Sequence, residues 1–391
     1  MLRDLHRVLA TIVAFLFISM MGVAYLIGIV LNVFYFYRYP MQGSSLQHPE
    51  SLAACRPKTD IVFLKTHKCA SSTLMNIFLR YGMKHDLNFV LPKSTVTHYI
   101  GHPTPFRRSF IDDITKYNMS FNILTHHTRY DGNEMRKVMP RDTVYVTILR
   151  RPDSLFESLY SYCHLANSYK KNLSAFVEDK KLTRALTRKR ALEGRVGFNQ
   201  MCFDLGYTGL LKSNPKLIVN FVNSIDKAFD LVMMTDRLDE SLILLKHLLC
   251  WNTSDVVAFK INARYAEYKE ALSPEVKQKL SELNHADVLL YHHFANVFER
   301  KVRDFGVDRM AAEVQELQTA RKAYYAKCVE AEGSMEAVSA QLKRKDVIAF
   351  KLKDKSEECL HLTMSELDFH ELVKEKQKAR ISQVLHSRIS R

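Results

Sequence analysis

The chain has 391 residues, 47% of them hydrophobic, which is enough apolar side chain for the core of one large domain or two modest ones. Its formal net charge of +15 suggests anionic partners such as a nucleotide, phospholipid headgroups or an acidic glycan. The sequence contains no nucleic-acid-binding motif, and its aromatic residues do not alternate with a basic stripe. We therefore expect no nucleic-acid partner.

The N-terminus contains an apolar segment long enough to cross a membrane. Residues 8–37 include no Lys, Arg, Asp or Glu, and a bilayer core needs about 20 apolar residues. A cleaved signal peptide has a shorter apolar core of roughly 7–15 residues. Arg3 and Arg7 precede the segment, which favours a cytosolic N-terminus. We predict a cytosolic tail over 1–7, a transmembrane signal-anchor over 8–37 and a lumenal body.

Residues 38–58 contain several Pro, Gly and Ser residues and predict a short stem before a lumenal domain over 59–391. Three N-x-[ST] triplets agree with a lumenal body and are predicted glycosylation sites. They lie at Asn118, Asn172 and Asn252.

The seven cysteines include no CxxC pair and no zinc-binding spacing. In an oxidising lumen some of them should pair, and the odd number leaves at least one free thiol or an intermolecular bridge. The disulfide connectivity cannot be derived from the spacing of the cysteines. We predict one specific pair, Cys328 with Cys359.

Four apolar runs of strand length recur along the chain, each followed by polar residues and usually by a helical pattern. They cover residues 60–64, 121–125, 143–149 and 230–234. The third run is β-branched and nearly continuous, which is typical of a strand covered on both faces. Strands that alternate with helices predict an α/β fold, a parallel sheet flanked by helices. Ligands in such folds bind beyond the carboxyl ends of the strands.

The most informative segment joins the first run to the helix after it. The sequence Lys65-Thr66-His67-Lys68-Cys69-Ala70-Ser71-Ser72-Thr73 places two lysines and several hydroxyls before a helical pattern that ends near Gly82. The N–H groups of a helix's first turn lack intrahelical partners, so this point suits a phosphate or a sulfate. The G-x-x-x-x-G-K-[ST] pattern of nucleoside-triphosphate loops is absent. The alternative is a buried strand followed by a solvated, polar helix start.

Other polar residues follow the remaining strand ends. Arg150 leaves the third run, and Ser158 lies two turns into a helix that we predict to start at Pro152. An arginine and a serine in these positions could bind a second phosphate together. The alternative is that Arg150 pairs with Asp153 or Glu157.

Histidine is the usual general base near neutral pH, and two adjacent histidines end the second run, His126 and His127. No carboxylate–histidine cluster in the sequence suggests a metal.

The later part of the chain is predicted to be mostly helical, with a helix that begins at Ser273-Pro274. An earlier basic cluster is predicted on an exposed helix, as a solvated face or as an entry surface for anionic ligands. It consists of Lys180, Lys181, Arg184, Arg188, Lys189, Arg190 and Arg195.

The chain resembles the sulfotransferases that use 3′-phosphoadenosine 5′-phosphosulfate (PAPS), and among them the Golgi galactose-3-O-sulfotransferases. The resemblance is carried by IVFLKTHKCASSTLMNI at 61–77, THHTRY at 125–130 and VTILRRPDSLFESLYSY at 146–162. Further support comes from FNQMCFDLGY at 198–207, DESLILLKHLLCW at 239–251 and FKINAR at 259–264.

The resemblance implies a P-loop-like α/β sulfotransferase fold behind one transmembrane helix, in a single-pass type II protein of the Golgi membrane. It implies transfer of the sulfuryl group from PAPS to the 3-hydroxyl of a galactose, with no metal required. The acceptor would be a galactosylceramide-like glycolipid or a glycoprotein glycan.

The family's binding residues carry over onto matching positions of this chain. The residues that would hold the 5′-phosphosulfate are Lys65, Thr66, Lys68, Ala70, Ser71, Ser72 and Thr73. Arg150 and Ser158 would hold the 3′-phosphate, and Lys260 and Arg264 are further candidates for the nucleotide.

Roles in the reaction follow from the same resemblance. Lys68 would stabilise the charge that develops as the S–O bond breaks, and Lys65 could share that role. His127 aligns with the family's histidine and is the predicted general base, with His126 in reserve. The family usually has threonine where Cys69 stands and aspartate where Arg151 stands.

Two other functions compete with this interpretation. A lumenal nucleotide kinase would need a glycine-rich loop and metal-binding acidic residues, which the sequence does not show. A membrane-anchored glycan-binding protein without activity would explain Cys69 as a mark of lost catalysis.

Overall fold

The computed structural model describes residues 55–94, 98–194, 196–209, 214–261, 263–334 and 346–389. The chain divides into two units, Met1–Cys55 and Arg56–Arg391, and every element below belongs to the second. The predicted cytosolic tail and signal-anchor lie outside the described residues, as does most of the predicted stem. Among the helices that are described, none combines the length and the apolar character needed to span a bilayer.

A four-stranded parallel sheet forms the centre of the fold. Its strands are β1 (Ile61–Leu64), β2 (Ile123–Leu124), β3 (Val144–Leu149) and β4 (Leu231–Met234), in the spatial order β2-β1-β3-β4. All four strands are buried along their whole length, as expected where helices cover both faces of a sheet. The four apolar runs of the sequence are therefore confirmed as strands, although the second is only two residues long.

Ten helices precede residue 257 in the described chain. They are α1 (Ser71–Lys84), α2 (Gly132–Arg136), α3 (Pro152–Tyr162), α4 (Leu165–Tyr169), α5 (Leu173–Glu178), α6 (Lys180–Glu193), α7 (Gln200–Asp204), α8 (Pro215–Ala228), α9 (Leu238–Leu249) and α10 (Thr253–Val256). Short 3₁₀ turns lie at Arg108–Phe110, Ile114–Tyr117, Thr235–Arg237 and Ala266–Tyr268.

The second half of the chain is mainly helical, as predicted. Its elements are α11 (Pro274–Leu283), α12 (His285–Phe305), α13 (Val307–Cys328), the antiparallel strands β5 (Val329–Ser334) and β6 (Ile348–Leu352), α14 (Glu357–Thr363) and α15 (Glu366–Ile389). Ser273 caps α11, because its hydroxyl accepts a hydrogen bond from the Val276 amide at 3.3 Å.

Local sequence explains the helices that carry the site. Helix α1 begins directly after the loop that follows β1, and its apolar face is fully buried, with Phe78 stacked on Phe63 at 5.1 Å between ring centroids. Pro152 occupies the first position of α3, where a missing N–H costs no intrahelical hydrogen bond. The only tryptophan, Trp251, stacks on Tyr81 at 3.6 Å and belongs to the core.

The C-terminal helix α15 packs against α1 and against the 3₁₀ turn Ile114–Tyr117. The Gln377 side chain accepts from the Phe89 amide at 2.8 Å and donates to the Phe89 carbonyl at 3.0 Å, so it satisfies both backbone groups of that residue. The first residue of α15, Glu366, is thereby held beside the loop that follows β1.

The cysteine prediction is confirmed, since Cys328 and Cys359 form a disulfide with 5.2 Å between their Cα atoms. The free thiols are Cys69, Cys163 and Cys202.

Candidate active site

A cavity of about 750 Å³ opens where the loops after β1 and β3 meet. Five predicted residues of the first loop and of the start of α1 line it, namely Lys68, Ala70, Ser71, Ser72 and Thr73. Five other predicted residues also lie on its wall, namely His127, Arg150, Ser158, Lys260 and Arg264. The structure thus brings together ten of the thirteen predicted catalytic and nucleotide-binding residues.

The loop after β1 has the backbone geometry of an anion-binding turn. Lys68 and Ala70 both have positive φ values, 59° and 54°, which is uncommon for residues other than glycine and often marks a functional site. Alternation of left- and right-handed conformations forms concave backbone sites for anions. No acidic residue belongs to the first turn of α1, and the one carboxylate that the described chain brings to it, Glu366, is paired with Lys65 and accepts from the Ser72 hydroxyl.

Arg150, at the end of β3, contacts both the loop after β1 and helix α3. One guanidinium nitrogen donates to the Lys68 carbonyl at 3.0 Å, and the Nε donates to the Ser154 hydroxyl at 2.9 Å. The Lys68 ammonium itself lies 3.8 Å from the centroid of the Tyr162 ring. The loop after β1 and the strand end of β3 are therefore fastened together at the residue that is predicted to bind the 3′-phosphate.

Arg150 does not make either of the ion pairs that the alternative interpretation required. Asp153 pairs with Arg151 at 3.1 Å, and Glu157 pairs with Arg264 at 2.6 Å. Among the described residues no carboxylate lies within ion-pairing distance of Arg150, which leaves its charge available to a ligand. Burial lowers the pKa of Arg150 from its usual value, chiefly through lost hydration.

The two other residues predicted to bind the nucleotide, Lys260 and Arg264, differ in exposure and in their ion pairs. Lys260 is exposed and lines the cavity, and its charge acts on Asp239 across that cavity. The Arg264 side chain is only 7% exposed, and it donates to Glu157 and to the Tyr268 carbonyl at 3.1 Å. Lys260 is consequently the better placed of the two to meet a phosphate.

Lys65 and Thr66 lie behind the loop and do not line the cavity. Lys65 is fully buried, with its ammonium 2.5 Å from a carboxylate oxygen of Glu366 and 3.3 Å from the Met75 sulfur. Burial lowers the pKa of Lys65, while the charge of Glu366 opposes that change. Thr66 donates to the Ile148 carbonyl at 2.6 Å and so ties the loop to β3. Both residues shape the loop and do not reach into the cavity.

The two predicted histidines are placed differently. His127 lies on the cavity wall, whereas His126 is fully enclosed behind it and bonds to His370 at 2.8 Å between ring nitrogens. Burial, with a further effect from Lys65, lowers the pKa of His127 well below its usual value. The Nδ1 of His127 is buried and has no hydrogen-bond partner in the described residues.

Sequence reasoning missed a cluster around Asp204, the last residue of α7. His67 donates its backbone N–H to Asp204 at 2.8 Å, and its Nδ1 lies 2.9 Å from the same carboxylate oxygen. His102 approaches from another side, with its Nε2 at 3.6 Å. The three residues are far apart in the chain, although His67 lies within the anion loop and Asp204 within the segment 198–207.

The cluster has the ligand types of a metal site, because the donor atoms of His67, His102 and Asp204 lie within 4.8 Å of one another. Asp204 already accepts the His67 amide and Nδ1 hydrogen bonds and a third from Gln200 at 2.9 Å. These bonds occupy most of the carboxylate's acceptor sites, so the geometry favours a hydrogen-bonded cluster over a metal centre.

The three predicted glycosylation sites are all exposed. Two of them also cap helices, since the side-chain oxygen of Asn172 accepts from the Ala175 amide and Asn252 takes part in the capping box of α10. A glycan on the amide nitrogen would leave those capping oxygens in place.

Comparison with known proteins places this geometry in a family. The chain matches the family model for Galactose-3-O-sulfotransferase over residues 3–376. It is 37% identical over 297 residues to the galactosylceramide sulfotransferase of Homo sapiens, which covers 74% of this chain and 69% of that protein. It is 33% identical over 284 residues to galactose-3-O-sulfotransferase 2 of Sus scrofa, with 70% of each chain covered. It is 31% identical over 343 residues to galactose-3-O-sulfotransferase 3 of Mus musculus, with 82% and 78% covered.

Proposed function

The chain belongs to the galactose-3-O-sulfotransferase family, and we propose that it transfers a sulfuryl group from PAPS to the 3-hydroxyl of a galactose residue. The observation that carries the proposal is the position of Arg150, which bonds to the Lys68 carbonyl and has no carboxylate partner among the described residues. One cavity therefore offers two cationic groups, the Lys68 ammonium and the Arg150 guanidinium, to a donor with two anionic ends.

The residues present fit such a donor at both ends. The loop with Lys68, followed by the N-terminus of α1, suits the 5′-phosphosulfate because backbone N–H groups and a helix dipole both favour negative charge there. Arg150 and Ser158 suit the 3′-phosphate. The cavity volume of about 750 Å³ lies within the usual range for small-molecule sites.

The chemistry assigned to these residues is positioning and charge stabilisation. Sulfuryl transfer resembles phosphoryl transfer, with a loose in-line transition state in which negative charge grows on the leaving phosphate. Lys68 is placed to meet that charge. A histidine of the cavity wall accepts the proton of the attacking hydroxyl, and the proposal needs no metal because Lys68 and Arg150 supply the positive charge.

The acceptor that we propose is a galactose on a galactosylceramide-like glycolipid or on a glycoprotein glycan. Both kinds of name occur among the relatives, which include a galactosylceramide sulfotransferase and two galactose-3-O-sulfotransferases. The apolar segment 8–37 and the three exposed sequons support a single-pass type II protein of the Golgi membrane with its catalytic domain in the lumen.

Incubation of the full-length protein in detergent with ³⁵S-labelled PAPS and a panel of galactosides tests the proposal. We expect label on acceptors with a free 3-hydroxyl and none on 3-deoxygalactosides, with no requirement for Mg²⁺. Preference for ATP–Mg²⁺ would instead indicate a nucleotide kinase. Saturable glycan binding without any sulfate transfer would indicate a binding protein.

A further inference from the structure

We propose that His67, oriented by Asp204, is the general base that accepts the proton of the acceptor hydroxyl. This inference rests on the proposed sulfuryl transfer and names the group that completes it. Asp204 acts as a positioning residue, since it touches His67 and does not line the cavity.

The contacts of His67 are those of an oriented imidazole. His67 lines the cavity, and its side chain is 14% exposed. Its Nδ1 lies 2.9 and 3.0 Å from the two carboxylate oxygens of the fully buried Asp204. A carboxylate at this distance fixes the proton on Nδ1, which leaves the Nε2 lone pair as the proton acceptor. Within the described chain Nε2 makes no hydrogen bond, so it is available to a substrate hydroxyl.

The Asp204 carboxylate would also stabilise the positive charge that His67 carries after it has accepted a proton. An imidazolium beside a buried carboxylate is stabilised by a charge-assisted hydrogen bond. Burial by itself would raise the pKa of Asp204, but the neighbouring His67 and His102 hold it well below its usual range. Asp204 therefore stays ionised at neutral pH and faces His67 with a full negative charge.

His127 has no equivalent partner. Its ring stacks on that of His67 with 4.2 Å between centroids, and its Nδ1 is buried without a hydrogen bond among the described residues. Protonation of His127 would place a cation in a desolvated position with no counter-charge on Nδ1, which is unfavourable. The geometry assigns to His127 the role of a neutral ring that packs against the base.

Several titratable or charged groups surround His67. Those facing its ring are Asp204, His102, His127, Tyr99 and the adjacent Lys68. Three further charged groups interact electrostatically with Asp204, namely Arg190, Arg129 and Asp287. Of all these, Asp204 is the only anion in hydrogen-bond contact with the His67 ring.

In the proposed step, sulfur exchanges one oxygen partner for another. The acceptor 3-hydroxyl oxygen forms a bond to sulfur, and its proton moves to Nε2 of His67. The bond between sulfur and the bridging oxygen of the phosphosulfate breaks, and its electron pair leaves with adenosine 3′,5′-bisphosphate. The proton on His67 is released to solvent before the next turnover.

The central test compares His67→Ala with wild type in the full-length protein, using ³⁵S-PAPS and a galactoside acceptor. We expect kcat to fall about 10²–10³-fold, the usual contribution of a general base. The KM for PAPS should stay within about threefold of the wild-type value, because the backbone N–H of residue 67 still donates to Asp204. Thermal unfolding and adenosine 3′,5′-bisphosphate affinity check that the variant is folded.

Two further experiments distinguish a general base from a histidine ring with a purely structural role. One is rescue of activity by added imidazole, and the other uses an acceptor with a more acidic hydroxyl. Excess imidazole should restore part of the activity of His67→Ala but not of His127→Ala. An acceptor whose 3-hydroxyl is acidified by a neighbouring fluorine should lose less rate in His67→Ala than the parent galactoside does. Rescue of His127→Ala alone would overturn the assignment.

Asp204→Asn tests the positioning residue through the pH profile. A base must be neutral to accept a proton, so wild-type kcat should fall as the pH is lowered. Loss of the carboxylate should change this acid limb and reduce the plateau, because Nδ1 of His67 then lacks its anionic partner. An unchanged profile in a folded Asp204→Asn variant would overturn the positioning role. If this variant does not fold, the His67→Ala rescue experiment decides.

The two proposals fail in different ways. A wild-type protein that transfers no sulfate to any galactoside would overturn the proposed function and the base together. An active wild type with a His67→Ala variant that retains kcat within about threefold would overturn only the base.

Discussion

Glu366→Gln tests how the buried ion pair behind the anion loop contributes to folding. The carboxylate lies 2.5 Å from the Lys65 ammonium, with the Lys65 side chain fully buried and that of Glu366 16% exposed. Its other oxygen accepts from the Ser72 hydroxyl at 2.8 Å. The amide of glutamine fills the same space but leaves Lys65 buried without a counter-charge.

The magnitude follows from the pKa of Glu366. Burial alone would raise that pKa, but attraction and hydrogen bonding to Lys65, with the Ser72 bond, lower it from 4.5 to about 2. For the Glu366 side of the pair, a pKa lowered by about 2.5 corresponds to about 3 kcal/mol of folding free energy at neutral pH, while burial, which lowers the pKa of Lys65, opposes this contribution. This agrees with the cost of removing one partner of a buried pair, about 3–5 kcal/mol.

The sign of the pH dependence is fixed by the same values. Because the pKa of Glu366 is lower in the folded than in the unfolded state, its stabilisation is complete above about pH 4.5. It is lost as the pH falls through 2. The difference in stability between wild type and Glu366→Gln should therefore shrink as the pH falls below about 4.5.

The assay is urea and thermal unfolding of the full-length protein in detergent at pH 7. Glu330→Gln is the matched control, because Glu330 pairs with Lys351 at 2.8 Å while both side chains are about half exposed or more. Exposed pairs contribute little, so this control should unfold like wild type. The reasoning would be refuted if Glu366→Gln unfolded like its control, or if its effect did not change with pH.

Two further predictions concern the lysine of the loop and the disulfide. Lys68→Ala should lower kcat about 10²–10³-fold with an unchanged unfolding midpoint, because the carbonyl that accepts from Arg150 remains. Single-turnover kinetics measure this loss, and Lys351→Ala, at an exposed lysine of β6, is the charge-matched control. An equal loss in both variants would contradict the role. Cys328→Ser should destabilise the protein by about 3–4 kcal/mol, since the Cys328–Cys359 bridge closes a separation of 31 residues. Urea unfolding of Cys328→Ser against the exposed-site control Glu330→Gln measures it, and equal midpoints would refute the estimate of loop entropy.

The elements that sequence predicted well are those with a local signal. The strands are short apolar runs, and the helix start at Pro152 and the Ser273 cap are each specified by adjacent residues. The family prediction rested on the same local motifs and is confirmed by the family model and by the relatives.

Residues whose partners lie far away in the chain were not predictable in this way. Lys65 looks like a second phosphate ligand until α15 brings Glu366 to it. His67 looks like a spacer between two lysines until α7 presents Asp204. No spacing rule links these pairs, because they meet only through tertiary packing.

The predicted basic cluster also contains a residue that only tertiary packing explains. Six of its seven residues lie on α6, and Arg195 lies outside the described residues. The charges of the cluster predicted an exposed helix face, but Arg190 is only 2% exposed and lies over the Phe203 ring at 3.6 Å. The cluster is therefore not uniformly solvated. Arg190 also bonds to Gln200 at 3.1 Å, so it supports the helix that carries Asp204.

The central claim is that one donor with two anionic ends spans the cavity between the loop after β1 and Arg150. Titration calorimetry of adenosine 3′,5′-bisphosphate and adenosine 5′-monophosphate tests it most directly, on wild type, Arg150→Ala and the control Arg141→Ala, whose arginine is exposed and does not line the cavity. We predict that wild type and Arg141→Ala bind the bisphosphate about 10–100-fold more tightly than the monophosphate. Arg150→Ala should lose that preference while binding the monophosphate as wild type does. A preference for the bisphosphate that survives Arg150→Ala would contradict the account.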